Sequence, residues 1–133
     1  MDGFHLKNKE LEEKRTVFYG EKVTLKSIKG AAESFDLENL SSKLKVVNSG
    51  QNVYWPFYDR RIHDSIDNAI KLIETGVIII EGNYLLFDEK GWRDLSQHAD
   101  MKIFIECDER TLKSRLIQRK VYPDGSKRLV LRR

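Results

Sequence analysis

Val77 to Ile80 form an unbroken apolar run that ends on Glu81-Gly82-Asn83. A short run of β-branched residues suits a strand buried on both faces of a parallel α/β sheet. The pattern therefore predicts a strand over 77–81, with Glu81 at the rim where such sheets hold their ligands. Met101, Ile103, Ile105 and Cys107 alternate with Lys102, Phe104 and Glu106, which predicts a less central strand. Ile66, Ile70 and Ile73 fall at helical spacing behind Asp64, a candidate cap, and ahead of Gly76, a candidate stop; a helix is predicted over 64–75. Asp36, with Leu37, Leu40 and Leu44 on one face, predicts a helix over 36–45. Asp108 caps a last helix through Arg119 with Leu112 and Leu116 inward, and 92–98 reads as a short helix.

The upstream third is less regular. Residues 9–15 are densely charged and suit a helix or a solvated loop. Residues 16–29 alternate loosely around Gly20, as an irregular strand or a hairpin does. Residues 53–58 read as extended, because Pro56 disfavours helix at Trp55 and aromatics favour β structure. From residue 64 onward the helix–strand alternation predicts an α/β fold with a parallel sheet. No linker divides the chain, so residues 1–133 are expected to form a single domain.

A length of 133 residues, 40% apolar and 34% charged, is enough for a compact domain with its own core. A net charge of +3 is too small to argue for nucleic acid. The basic end, Lys127, Arg128, Arg132 and Arg133, is what a solvated terminus also shows. Cys107 is the single cysteine, which excludes an internal disulfide and fits a reducing compartment. No segment is apolar for long enough to span a bilayer, and no apolar signal region opens the chain. The expected location is cytoplasmic.

The chemistry concentrates in three clusters: Asp2-Gly3-Phe4-His5, Tyr58-Asp59-Arg60 with His63, and Glu81-Gly82-Asn83. Two carboxylates at one rim suit Mg²⁺-dependent phosphoryl transfer, one beside an attacking hydroxyl and one beside the metal's water shell. Arg115 and Arg119 have the character of phosphate donors, although an i, i+4 arginine pair is also an ordinary solvated helix face. ATP enzymes of this layout cradle phosphates on a G-x-x-x-x-G-K-S/T loop. The nearest approach is Gly20–Ser27, GEKVTLKS, where Leu25 replaces the second glycine and a charged run replaces the preceding strand. It reads as coincidence.

Taken together and in order, Asp2-Gly3-Phe4-His5-Leu6 with Asn8, Lys29-Gly30-Ala31 with Glu33 and Phe35-Asp36, Pro56 with Tyr58-Asp59-Arg60, Glu81-Gly82-Asn83-Tyr84-Leu85-Leu86 with Gly91-Trp92, and Arg115-Leu116 with Arg119 resemble the P-loop kinases of the phosphoribulokinase/uridine kinase/pantothenate kinase group. The likeness is strongest to a nucleoside- or sugar-kinase-like branch and covers residues 1 to about 120. It implies a P-loop NTPase fold and use of ATP and Mg²⁺. Asp2 would be the general base, and Glu81 would act through Mg²⁺ as metal ligand. His5, Tyr58, Asp59, Arg60 and His63 would line the acceptor pocket, and Arg115 and Arg119 would lie over the ATP phosphates.

Three departures stand out. The family's first strand and P-loop precede the position of Asp2, and no such loop is present here. Ala32 and Ser34 stand where that branch usually has Pro and Thr. After Arg119 the chain reads KVYPDGSKRLVLRR instead of the family's Gly-Leu-Ser segment. The expectation is a partial P-loop fold missing its first strand and phosphate loop, a fragment with impaired phosphoryl transfer. The alternative is a non-catalytic binding or regulatory remnant. Expected partners are a small-molecule acceptor and, through self-association or completion, another chain; neither nucleic acid nor a membrane is expected.

Overall fold

The computed structural model describes residues 1–73 and 76–119. The chain divides into two compact units, Met1–Lys102 and Ile103–Arg133. The predicted turn at 122–125 and the basic end lie outside the described residues, as does the end of the predicted helix at Thr75.

The first unit is organised around a single turn of 3-10 helix, Asp2–Phe4. Phe4 is almost fully buried and packs with Phe35, Leu40, Leu44, Trp92 and Leu95. The next residues run beside Phe35: Leu6 N donates to Ser34 O at 2.9 Å and Asp36 N to Phe4 O at 2.7 Å. Helix α1 (Asn8–Glu13) follows, then a hairpin of β1 (Arg15–Phe18) and β2 (Glu21–Thr24) that turns at Tyr19-Gly20. Gly20 sits at φ +83°, a conformation glycine adopts without strain, so the turn expected from this residue forms. Helix α2 (Leu37–Asn48) forms as predicted: the Asp36 carboxylate accepts from Asn39 N at 3.0 Å, and Leu40 and Leu44 face the core. The short helix α3 (Trp92–Leu95), extended by a 3-10 turn through His98, buries Trp92 and Leu95.

Two predicted elements are corrected. Residues 64–72 are not helical. They form β4 (Asp64–Leu72), antiparallel to β3 (Val53–Asp59). The four-residue step from Ile66 to Ile70 that suggested a helix also satisfies a strand, because four is a multiple of the strand period, and Ile73 lies beyond the end of β4. Ile70 pairs with Trp55 and Ile66 with Phe57, and between them β4 carries extra residues as a bulge opposite Pro56. Pro56 offers no N–H to the ladder there. Asn68 takes up the bulge at φ +51°, a left-handed conformation that asparagine tolerates better than most residues.

The second correction is the strand over 77–81. Among the described residues its backbone pairs with no strand, and Val77 and Ile79 are 91% and 86% exposed. Only Ile80 packs against the core. The parallel sheet is therefore absent among the described residues, which hold two separate two-stranded antiparallel ribbons.

In the second unit residues 103–107 are extended without a ladder partner among the described residues. Helix α4 (Glu109–Arg119) begins as predicted, with Asp108 accepting from Thr111 N at 2.9 Å. Leu112 and Leu116, expected inward, are each 48% exposed.

Candidate functional site

The Asp2–Phe4 turn is locked from both sides. A Cβ on Gly3 would lie 2.3 Å from Pro56 O, so only glycine lets the turn touch β3. Phe4 fills the core edge-to-face with Trp55, ring centroids 4.7 Å apart. His5 emerges between these anchors. Its ring lies 4.0 Å from Phe35 and 5.5 Å from Tyr58, and its carbonyl accepts from the buried Ser65 hydroxyl at 3.0 Å. His5 Nδ1 lies 2.9 Å from Asp2 O. A carbonyl can only accept, so Nδ1 carries the proton and Nε2 presents a lone pair. Burial, joined by the Lys29 charge, pushes the His5 imidazole below its usual value against the opposing pull of Asp2, so the ring is neutral at pH 7.

The segment bearing Glu81 adjoins this turn. The Met1 ammonium donates to Glu81 O at 2.9 Å, and the Met1 side chain lies against Gly82. Behind it Tyr84, Phe35 and Trp92 pack as an aromatic triad with centroids 5.4 to 5.9 Å apart. Tyr84 also donates to Gly30 O at 2.9 Å. The Gly30–Ser34 loop closes on the buried Ser34 hydroxyl, which accepts from Gly30 N at 3.0 Å and donates to Ala31 O at 2.7 Å. Threonine would offer the same hydroxyl. On another side of the turn, a polar cleft of about 260 Å³ is lined by residues including Gly3, His5, Lys7, Glu10 and Asp67.

The other sequence-derived residues divide. Tyr58 is beside His5. Asp59 is occupied locally, its carboxylate accepting from Arg61 N, Nε and Nη2 at 2.8, 3.1 and 2.7 Å. These bonds, led by the one from the Arg61 side chain, pull the Asp59 carboxyl down to about 2 from its ordinary 3.8. Arg60 and His63 are exposed at the hairpin tip. The backbone carbonyl of His63 is used, accepting from Asn8 Nδ2 at 3.1 Å and Lys29 Nζ at 2.8 Å. Arg115 and Arg119 lie one turn apart on α4, in the second unit, and Arg115 Nη1 is 4.0 Å from Cys107 Sγ. Sequence reasoning missed Lys26 and Ser65 as parts of this neighbourhood and cited Asn8 and Lys29 only within motifs. Their contacts join residues 18 to 60 positions apart, which no local pattern reveals.

The Asp59–Arg61 contact carries a pH dependence. A depressed carboxyl stabilises the fold fully above the unfolded value of 3.8 and loses that contribution as pH falls toward 2. Thermal melts between pH 5 and 2 should therefore fall less steeply for Asp59→Asn than for the parent chain, with the Asn variant the less stable of the two at pH 5.

The residues present fit the implied donor and metal unequally. Gly20–Ser27 forms β2 and a 3-10 turn, and two of its N–H groups are engaged within the fold: Leu25 N donates to Lys14 O at 3.0 Å and Ser27 N to Thr24 Oγ1 at 3.3 Å. Among the described residues this segment is a strand and a turn, not a strand-to-helix phosphate cradle. Among the described residues no three acid, histidine or cysteine side chains gather as a metal set. Mg²⁺ commonly rests on one or two carboxylates plus substrate phosphates, so Asp2 and Glu81 fit such a role only beside a bound nucleotide.

The family model of the phosphoribulokinase/uridine kinase family matches residues 10–128. The chain belongs to this family. It is 37% identical over 121 residues to the uncharacterized protein YggC of Escherichia coli, covering 91% of this chain and 46% of YggC. It is 29% identical over 93 residues to the pantothenate kinase of Lactococcus lactis, covering 68% of this chain and 30% of that protein. Its fold matches a crystal structure of a candidate fructose transport system kinase from Silicibacter with a TM-score of 0.76 and 41% identity, over 90% of this chain and 54% of the other. The chain spans about half the length of several of the curated relatives it matches. These likenesses make it a member of the P-loop kinase group with a kinase-family α/β fold, and its family implies ATP as phosphoryl donor.

Proposed function

We propose that this chain supplies the acceptor side of an ATP-dependent kinase acting on a hydroxyl of a small metabolite, a nucleoside, sugar or pantothenate-like compound. The observation that carries the reading is the locked Asp2–His5 turn beside the Glu81 segment, with a neutral His5 facing Tyr58. In this reading His5 Nε2 accepts a hydrogen bond from the acceptor and orients it. Asp2 takes the proton of the attacking hydroxyl, and Glu81 acts through Mg²⁺. Arg115 and Arg119 contribute cationic donors toward phosphate, and Arg60 and His63 border the pocket. The reaction belongs in the cytoplasm, where ATP is supplied; no helix among the described residues is long and apolar enough to cross a membrane.

The engaged Leu25 and Ser27 N–H groups of the Gly20–Ser27 segment favour a corollary. These 133 residues by themselves are impaired in transfer and act as an acceptor-binding module, completed by a phosphate cradle that lies outside them. Kinases usually turn over at roughly 1–100 s⁻¹, and this chain should fall at least about 10³-fold below that with nucleoside, sugar and pantothenate-like acceptors. Calorimetry should detect an acceptor binding without ATP. Robust turnover by the purified chain refutes the impairment, and binding of neither ligand refutes the acceptor site.

A further inference from the structure

The residues that carry the family likeness stop at Asn8 and resume at Lys29, and the β1–β2 hairpin lies between them. Its tip is aromatic. Tyr19 is 93% exposed and Val17 70%, and the Phe18 ring meets the Tyr19 ring edge-to-face with centroids 4.5 Å apart. Tyr19 sits at φ +50° and Gly20 at φ +83°. Two left-handed residues in succession make a tight hairpin turn, for which asparagine or glycine is the cheap first residue and a bulky one is strained. The chain thus accepts a backbone cost to hold a ring that nothing within the fold covers, and strained residues of this kind gather at binding sites.

The two faces of the hairpin differ in charge. Val17 lies opposite Lys22, Arg15 opposite Thr24, and Phe18 opposite Glu21. Alternation therefore puts Arg15, Val17 and Lys22 on one face, and Thr16, Phe18, Glu21 and Val23 on the other. The second face is partly covered at Thr16 and Val23. The first is exposed at all three positions and carries two cations with no acid. Among the described residues neither Arg15 nor Lys22 forms an ion pair, whereas the neighbouring Lys14 is held by Glu10 at 3.6 Å.

The edge of β1 is open as well. β2 lies against α1 and the 3-10 turn at Leu25–Ile28, which leaves β1 as the outer strand, and no third strand joins the ribbon among the described residues. In a hairpin closed by two residues the flanking pair, Phe18 and Glu21, exchanges hydrogen bonds. The next pair, Val17 and Lys22, then points its N–H and C=O groups outward, and so does Arg15. Backbone donors and acceptors, two cations and the Tyr19 ring line one edge.

We propose that β1 takes an extended, acidic segment of a partner protein as a third strand, its carboxylates beside Arg15 and Lys22 and its end covered by Tyr19. The unpaired cations call for a partner of opposite charge, and the open edge calls for one with a backbone of its own to pair. A nucleic acid or a lipid surface answers the charge but leaves the edge groups unpaired. A second copy of this hairpin answers the edge but brings like charges to one face.

The test is fluorescence anisotropy of a labelled peptide that alternates valine and glutamate over about nine residues, the length of a strand, titrated with the 133-residue chain. Binding should saturate, and Arg15→Glu and Lys22→Glu should each raise Kd about tenfold. Methylating the amide nitrogens of either the valines or the glutamates leaves the charge unchanged. One of those two peptides, and only one, should lose binding, because a strand offers alternate N–H groups to each side. The Arg15 and Val17 amides should become protected from solvent exchange when the unmethylated peptide binds. Tyr19→Asn should melt no lower than the parent, since asparagine suits the turn, yet raise Kd at least about threefold. Melting curves identify any variant that fails to fold, and Arg15→Gln with Lys22→Gln then carries the charge comparison. No saturable binding overturns the proposal, as does equal binding of both methylated peptides or indifference to the charge reversals. Tighter binding of polyuridylate or phosphatidylserine vesicles through the same two cations overturns it in favour of those partners. A dimer in sedimentation that Tyr19→Asn dissolves overturns it in favour of a second copy. Phosphoryl transfer enters none of these measurements, so their outcome stands apart from the kinase reading.

Discussion

Replacing Gly3 with alanine is expected to lower the melting temperature by about 10 °C and to displace His5. The added methyl would meet Pro56 O at 2.3 Å and Pro56 C at 2.6 Å, and both atoms belong to the backbone of β3 rather than to a side chain that can swing away. Relief requires the Asp2–Phe4 turn to lift from the ribbon or the ribbon to bend at its bulge. Overpacking of this kind costs about 3 kcal/mol when the neighbour cannot yield, and each kcal/mol moves the melting point of a domain this size by roughly 3–4 °C. The effect reaches the site because the same turn carries Asp2 and His5. The His5 ring should leave its contact with Phe35 and Tyr58 and return toward an ordinary imidazole titration. Calorimetric melting and histidine NMR titration measure both. A variant that melts with the parent and keeps a depressed His5 would show that the turn does not press on β3.

Trp92→Ala is expected to be the larger loss in stability, about 3–5 kcal/mol. Trp92 is 3% exposed and touches Phe35 and Tyr84 through ring contacts at 5.7 and 5.4 Å. Its removal opens a cavity beneath the loop that Tyr84 pins to Gly30. Domains of this kind are stable by only about 5–15 kcal/mol, so the variant should be partly unfolded near 37 °C. Trp92→Phe keeps an aromatic partner for both neighbours and should recover about half of the loss. Urea unfolding with matched slopes gives the comparison. Equal stability of the alanine variant and the parent would mean that Trp92 does not anchor the core.

These two residues also show what a single sequence discloses. The cap at Asp36, the cap at Asp108 and the turn at Gly20 were legible because each is a local rule: one short polar side chain or one glycine acting on its nearest backbone. The isoleucines at 66 and 70 misled because their spacing fits two periods, and only the pairing with Trp55 and Phe57 separates them. The apolar run at 77–80 carries the composition of a buried strand, but burial needs a neighbour, and composition does not supply one. Family motifs brought Asp2, His5, Tyr58 and Glu81 to notice, and the structure brings His5 to Tyr58 and the Glu81 segment to the first turn. The bonds that join Asn8 to Lys26 and Lys29 stayed hidden because they span 18 and 21 residues of chain.

Among the described residues Val77, Ile78 and Ile79 have no strand partner, which has a consequence for the molecule in concentrated solution. Hydrogen-bonding groups along a β-branched, uncharged stretch are a template on which identical stretches can stack, the arrangement of amyloid-type fibrils. Glu81 closes the stretch with a charge that works as a gatekeeper, since stacked copies would line up their carboxylates. Colloidal behaviour should then depend on that one side chain, and crowded conditions are where the soluble form is most exposed to loss.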